Sequence, residues 1–302
     1  MNISVNFKKC PKDGHPDFWD YFEQWARRPL PSIQPNMGAC RLIGELMGHD
    51  ASWDDVDSAF YFRLLEKMNA RGYSRNYISA TIAKLHAVMA SGYKLKYHSN
   101  TDFTRFCVIP EYAESVYLTR DELDRVISLH LDNPRECKAR DLFIVGCYTA
   151  ARFSDYSRLS KDNLNNGFIC FAQKKTSETV VIPASPKILG IMDKYGGNVP
   201  YLHHTTFNKL VKVICRKAGI DTRIQISRSR GLQHILETKE KWELVTAHTA
   251  RRTGATLLYM SGVPVHQCML ITGHKTETSF RRYIRITKEE NARLLASNPF
   301  FK

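Results

Sequence analysis

The eight cysteines of this chain form no C-x-x-C pair, so the ligand spacing of a zinc site is missing. Several sit in apolar stretches, as Cys147 does in Phe143-Ile144-Val145-Gly146-Cys147-Tyr148. That placement reads as free, buried thiols in a reducing compartment, so the expected location is the cytoplasm. No apolar run approaches the length of a bilayer-spanning helix, which leaves no membrane partner. Asn2 to Lys9 lacks the apolar core of a signal peptide. There is no internal repeat and no low-complexity tract. Acidic residues are in short supply, with 30 Asp and Glu against 44 Lys and Arg and a formal net charge of +14. That balance favours a polyanionic partner, bound in a salt-sensitive way.

What is present begins with helices. A chain of 302 residues with 43% hydrophobic content can build one or two domains. The spacing predicts helices over Asp17 to Arg28, Ile33 to Gly48 and Val56 to Arg71. Ser74 is the expected N-cap of a fourth, with Ile78, Ile82, Leu85 and Val88 on one face. Four such helices make a small bundle, assigned to residues 1–105. Lys94 to His98 is basic and aromatic, and reads either as a DNA-facing segment or as a solvated helix end. The pattern lapses around Pro110, giving a linker over 106–117. A capping box follows at Thr119-Arg120-Asp121-Glu122 and opens a second domain, 118–302. Within it, Phe168 to Phe171 and Thr179 to Ile182 flank polar Gln173 to Ser177, which predicts a β-hairpin. A weaker extended region covers Arg223 to Ile235.

The chemistry concentrates near the C-terminus. His248 and Arg251 lie three apart in a helix-compatible run, so both side chains leave one face. Gly273-His274 follows, then Tyr283, nine residues beyond His274. Arginine can hold the non-bridging oxygens of a phosphodiester, and histidines add directed hydrogen bonds. A tyrosine can attack phosphorus and become a covalent phosphotyrosine. In so basic a chain, the phosphodiester expected is nucleic acid.

The second domain resembles the catalytic domain of the tyrosine recombinases, the phage and mobile-element integrases. The likeness spans about Thr119 to Ile286, and the helical first third is similar to their core-DNA-binding domain. Thr149-Ala150-Ala151-Arg152-Phe153-Ser154-Asp155 resembles the segment with the first catalytic arginine, Arg152. The hairpin resembles the one that carries the catalytic lysine. His248-Thr249-Ala250-Arg251 resembles the H-x-x-R box, and Gly273-His274 and Tyr283 complete the set.

The resemblance implies a mainly α fold with a small β-hairpin or sheet: an N-terminal helical core-binding bundle plus an α+β catalytic domain. It implies a site-specific recombinase that cleaves and rejoins DNA through a 3′-phosphotyrosine, integrating or excising a mobile element. Arg152 and Arg251 would clamp the phosphate bidentately, as lysine does less well. His248 would accept the tyrosine proton, and His274 would donate to a phosphate oxygen. Lys175 would protonate the leaving 5′-hydroxyl, with Lys174 as rival, since a shift of one residue swaps the faces of a strand. Asp155 would orient Arg152. Neither metal nor other cofactor is expected. Double-stranded DNA is the partner, with a homotetramer on it, and an accessory DNA-bending protein is allowed. Two rivals stand beside this reading, a type IB topoisomerase and a non-catalytic DNA-binding descendant.

Two departures from the family's pattern were visible. Gly254 stands where a bulky residue is usual, which predicts weaker local packing. Asp221 to Val245 makes a long approach to His248. After Tyr283, Thr287 and Glu290 match a capping box, and Leu294, Leu295, Phe300 and Phe301 give an apolar tail. Such a tail folds back on its own domain or, as the resemblance implies, docks on a neighbouring protomer.

Overall fold

A computed structural model describes residues 14–28, 33–111, 115–174, 177–284, 286, 288–296 and 299–301. The chain forms two compact units. One comprises residues 1–113 with 226–237, and the other 114–225 with 238–302.

The first unit is helical. Its helices are α1 (Phe18–Ala26), α2 (Ile33–Met47), α3 (Ser58–Ala70) and α4 (Arg75–Lys94). Asp17, Asp57 and Ser74 cap α1, α3 and α4 by accepting a main-chain N–H, each satisfying a donor the helix start leaves orphaned. Aromatic packing dominates the core. Phe18, Tyr21 and Phe22 of α1 are buried, and Phe18 meets Trp53 edge-on at 5.4 Å between ring centroids. Gly92 on α4 is required there: a Cβ would stand 2.5 Å from the Trp53 ring.

The same packing takes up the aromatic residues of Lys94 to His98. His98 stacks on Trp53 at 4.7 Å, and Tyr97 meets Tyr21 edge-on at 5.2 Å. The segment is the packed end of α4, with Lys94 and Lys96 left in solvent. Ser229, from 226–237, donates to Glu111 Oε1 at 2.7 Å and accepts from the Arg75 amide at 2.7 Å.

The second unit opens at α5 (Arg120–Ser128), where Thr119 and Glu122 form the capping box. The chain continues through α6 (Pro134–Thr149) and α7 (Phe153–Tyr156). Next come β1 (Leu164–Asn165), β2 (Phe168–Ala172) and β3 (Thr179–Pro183), then α8 (Pro186–Lys194) and α9 (His204–Lys217). The long approach to His248 is a second hairpin, β4 (Arg223–Arg230) and β5 (Gln233–Glu240), of which residues 226–237 belong to the first unit, and it ends in α10 (Lys241–Leu244). The last helices are α11 (Ala247–Met260), α12 (Val265–Thr272), α13 (Glu277–Tyr283) and α14 (Lys288–Ala296).

Helix α6 is buried continuously from Asp141 to Cys147, as a central helix must be. Helix α11 crosses it with two glycines at the contact. A Cβ on Gly254 would lie 2.1 Å from the Cys147 carbonyl, and one on Gly146 would lie 2.9 Å from the Ala250 Cβ. Gly254 therefore does not weaken the packing, as the sequence suggested. It lets the backbones of α6 and α11 touch.

Strands β1, β2 and β3 pair antiparallel, a three-stranded sheet where two strands were expected. Ile169 pairs with Ile182 and Phe171 with Val180, and all four are buried on one face. Period-two alternation carries that face on to Gln173, which is 1% exposed. A small third cluster of Ala255, Cys268, Phe280 and Tyr283 ties α11, α12 and α13 together.

The Tyr117 hydroxyl donates to Glu290 Oε1, so α14 makes a contact with its own unit. Leu295, Phe300 and Phe301 are exposed, while Thr287 of the expected capping box lies outside the described residues. Among the described residues, no helix is long and apolar enough to cross a membrane.

Candidate active site

Five of the six expected site residues converge in the second unit: Arg152, His248, Arg251, His274 and Tyr283. The sixth, Lys175, lies outside the described residues, and its neighbour Lys174 is exposed at the end of β2.

Arg152 caps the start of α7 and donates through Nη1 to Gln173 Oε1. Asp155 is not its partner. That carboxylate, 3% exposed, accepts from the Lys174 main-chain N–H at 3.0 Å and from Ser154 Oγ at 3.3 Å. Asp155 thus holds the main chain at Lys174, and among the described residues it makes no hydrogen bond to Arg152. A short acidic side chain reaches a nearby N–H more readily than a guanidinium already committed to Gln173.

Arg251 is 2% exposed. Its Nη1 donates to the Ala150 carbonyl at 2.8 Å, and its Nη2 donates to the Thr272 carbonyl. Ala150 sits at φ 48°, the left-handed conformation that ends α6. Such a conformation costs a residue with a Cβ about 1 kcal/mol. Strain of this kind gathers at functional sites. Burial pulls the Arg251 pKa down from its ordinary value, and the Tyr283 ring offsets part of that. Both carbonyls fix the guanidinium plane.

Gly273 closes α12 at φ 65°, and a Cβ there would meet the Gln173 side chain at 2.5 Å. Only glycine satisfies both the turn and the approach. His274 follows, with its Nδ1 at 2.7 Å from Thr272 Oγ1.

Tyr283 ends α13 and is 9% exposed. Its ring centroid lies 4.9 Å from that of His274 and 5.2 Å from that of His248. Arg251 stands 5.6 Å from the same centroid and Arg252 4.4 Å. Burial raises the phenol pKa, while Arg251, Arg252 and Arg152 draw it back down.

Both histidines are held neutral. Part of His248 remains exposed, yet burial of its ring and then Arg252, Arg251 and Arg152 lower its pKa to about 4. Burial, Arg251 and Arg152 likewise lower that of His274 to about 4. Neutral imidazole beside a phenol can take up a proton, and the three guanidiniums suit an incoming oxyanion. Among the described residues, no three His, Cys, Asp or Glu stand together as a metal site.

Three residues of this arrangement escaped the sequence reading. Arg252 lies four residues after His248, so helical geometry already placed both on one face. Gln173 continues the buried alternation of Ile169 and Phe171. Thr272 carried no signal beyond adjacency to Gly273.

A fold of this kind around a tyrosine, arginines and histidines defines the tyrosine site-specific recombinases. The sequence pattern of the phage integrase family matches residues 116–290, and the chain belongs to that family. Comparison with curated proteins finds no match. Solved structures share the fold at low identity. One is a lambda integrase (75–356) dimer bound to a COC′ core site, with TM-score 0.68 and 16% identity, covering 87% of this chain and 95% of that one. Another is the Tn1549 transposon integrase (82–397) in complex with circular intermediate DNA, with TM-score 0.67 and 14% identity, covering 92% and 98%. A third is a lambda integrase tetramer bound to a Holliday junction, with TM-score 0.67 and 14% identity, covering 89% and 76%.

Proposed function

We propose that this recombinase cleaves and rejoins double-stranded DNA through a 3′-phosphotyrosine on Tyr283, and that it integrates or excises a mobile element. The observation that carries the reading is the single phenol surrounded by Arg251, Arg252, His248 and His274. In this scheme the Tyr283 oxygen attacks phosphorus and its proton passes to His248. Arg152 and Arg251 hold the charge that builds on the non-bridging oxygens; losing one such donor typically costs about 3 kcal/mol of barrier. The bond to the 5′-oxygen breaks, and Lys175 protonates that oxygen. A second strand's 5′-hydroxyl then reverses the step on a new partner. The phosphodiester bond energy is kept in the phosphotyrosine, so the scheme uses no cofactor.

The remaining assignments follow from the same reading. Residues 1–105 form the core-DNA-binding domain, 106–117 the linker and 118–302 the catalytic domain. The working assembly is a homotetramer on DNA, with an accessory DNA-bending protein as a further partner and the cytoplasm as its location. Relatives of known structure described as a dimer on a core site and a tetramer on a Holliday junction support the assembly.

The test is incubation with attachment-site DNA carrying a nick, followed by a denaturing gel. Wild type should form a covalent adduct, and Tyr283→Phe should bind the DNA but form none. An adduct in the Phe variant would overturn the assignment. Relaxation of supercoiled DNA without strand exchange would instead mark a topoisomerase.

A further inference from the structure

Thr272 is fully buried and reaches two site residues at once. Its carbonyl accepts from Arg251 Nη2, and its Oγ1 lies 2.7 Å from His274 Nδ1. The hydroxyl proton is already used, because Oγ1 donates to the Cys268 carbonyl at 2.8 Å, four residues back in α12. A hydroxyl has one proton. Both contacts are satisfied together when Nδ1 carries the hydrogen and Oγ1 accepts it. In a neutral imidazole only one nitrogen is protonated, so Nε2 keeps its lone pair.

We propose that Thr272 is a positioning residue that holds His274 as the Nδ1–H tautomer, making Nε2 a proton acceptor. This rests on the recombinase reading for its meaning and refines it. A neutral His274 of this tautomer cannot donate from Nε2 to a phosphate oxygen. It donates there only after Nε2 has taken a proton, and a source stands beside it in Tyr283, whose ring centroid lies 4.9 Å from its own. Transfer from the phenol to Nε2 leaves an imidazolium with both N–H bonds, one on Thr272 and one free for the phosphate. The phenol has one proton, so His274 stands as the alternative to His248 for receiving it. The same transfer balances charge, since the phenolate forms the new O–P bond as the imidazolium forms.

The groups that face this ring are Arg251, Arg252 and His248 of α11, Arg152 before α7 and Tyr283 of α13. Lys275, the next residue, is paired with Glu178 at 3.6 Å. The surrounding positive charge keeps the ring neutral near pH 7, and neutrality is what makes its tautomer matter.

Nitrogen NMR of histidine-labelled full-length protein, with His274 assigned by its loss in His274→Gln, reads the tautomer directly. Wild type should show a protonated Nδ1 and a bare Nε2. Thr272→Val is close in size and keeps the carbonyl on Arg251, but loses the hydroxyl, and with it both the bond to the Cys268 carbonyl and the acceptor for Nδ1–H, so the proton should redistribute to Nε2. Adduct formation on nicked attachment-site DNA should then fall about tenfold with DNA binding retained. Its acid limb should move to lower pH, because an acceptor on Nδ1–H favours the imidazolium. Thr272→Ser should restore the tautomer, rate and profile. A bare Nδ1 in wild type, or a valine variant with unchanged tautomer and pH profile, would overturn the proposal. The NMR result stands even if no DNA is cleaved, so failure of the recombination reading would show separately in the adduct assay.

Discussion

Arg252 holds Tyr283 twice: its guanidinium lies 4.4 Å from the ring centroid, and its Nη1 donates to the carbonyl of the same residue. The first contact is to the nucleophile's ring and the second to the end of its helix. Together they fix where the phenol oxygen sits relative to Arg251. Arg252 itself is 8% exposed, so the contacts are formed away from competing water.

Replacing Arg252 should therefore slow chemistry more than binding. Arg252→Ala leaves the Tyr283 carbonyl without its donor and the phenol ring without the nearer of its two stacked cations. Misplacement by about 1 Å typically costs on the order of a hundredfold in rate. The adduct rate should fall by about that factor while single-site DNA affinity stays close to wild type. Arg252→Lys, which keeps the charge and loses the planar fork, should recover only part of it. Equal rates in the alanine variant would remove Arg252 from the site.

Gly254→Ala should destabilise the second unit. Its Cβ would meet the Cys147 carbonyl at 2.1 Å, and backbone atoms cannot step aside as a flexible side chain does. Overpacking of this sort costs about 1–3 kcal/mol or more. For a unit of this size that is a drop in Tm on the order of 5–10 °C. Gly262→Ala is a useful contrast, since no atom stands within 4 Å of a Cβ there and only its φ of 89° is strained. Thermal unfolding of the two variants separates contact from conformation. If Gly254→Ala melts with the wild type, the helices are not in contact as described.

Much of this was legible in the sequence, for reasons that differ by element. The four N-terminal helices follow from caps such as Ser74 and from apolar spacing, both local. His248 and Arg251 were readable because helical periodicity fixes their relation, and β2 and β3 because β-branched and aromatic runs flank a polar turn. What was not legible depends on distant contacts. Gly254 looked like a packing defect until α6 lay against it. Asp155 looked like the partner of Arg152, since nothing local brings the Lys174 amide to it. Residues 221–245 gave only a weak extended signal, because β4 and β5 carry charged side chains and little alternating apolar surface. Thr272 could not be read at all, as its role is set by where Arg251 and His274 end up.

The neutral histidines predict an acid-sensitive fold. His248 and His274 each have a pKa of about 4 in the folded chain, against 6.5 for the ordinary side chain. The unfolded chain therefore binds more protons than the folded one between those values. Their contribution is fully present above pH 6.5 and is lost progressively as pH falls toward 4. Tm should decline over that window, and the decline should be shallower in the double variant His248→Gln with His274→Gln. A DNA phosphate in the site would favour the protonated rings, so bound DNA should also flatten the slope. An identical slope in the double variant would show that other groups govern the acid response.

The last prediction concerns the acid for the leaving oxygen. The Lys174 side chain is exposed, and its main-chain N–H is fixed on Asp155 at 3.0 Å. Lys175→Ala should slow cleavage of ordinary DNA by roughly a hundredfold to ten-thousandfold, the range typical of a lost general acid. A substrate with sulfur in place of the bridging 5′-oxygen leaves as a thiolate and needs no proton. It should restore the Lys175→Ala rate to near wild type, and should do nothing for Arg251→Ala, whose deficit lies in charge stabilisation. Lys174→Ala should lose little on either substrate, since its main-chain N–H remains on Asp155. Rescue of Lys174→Ala alone by the sulfur substrate would reassign the proton donor to Lys174. Rescue of neither would place the donor outside the hairpin.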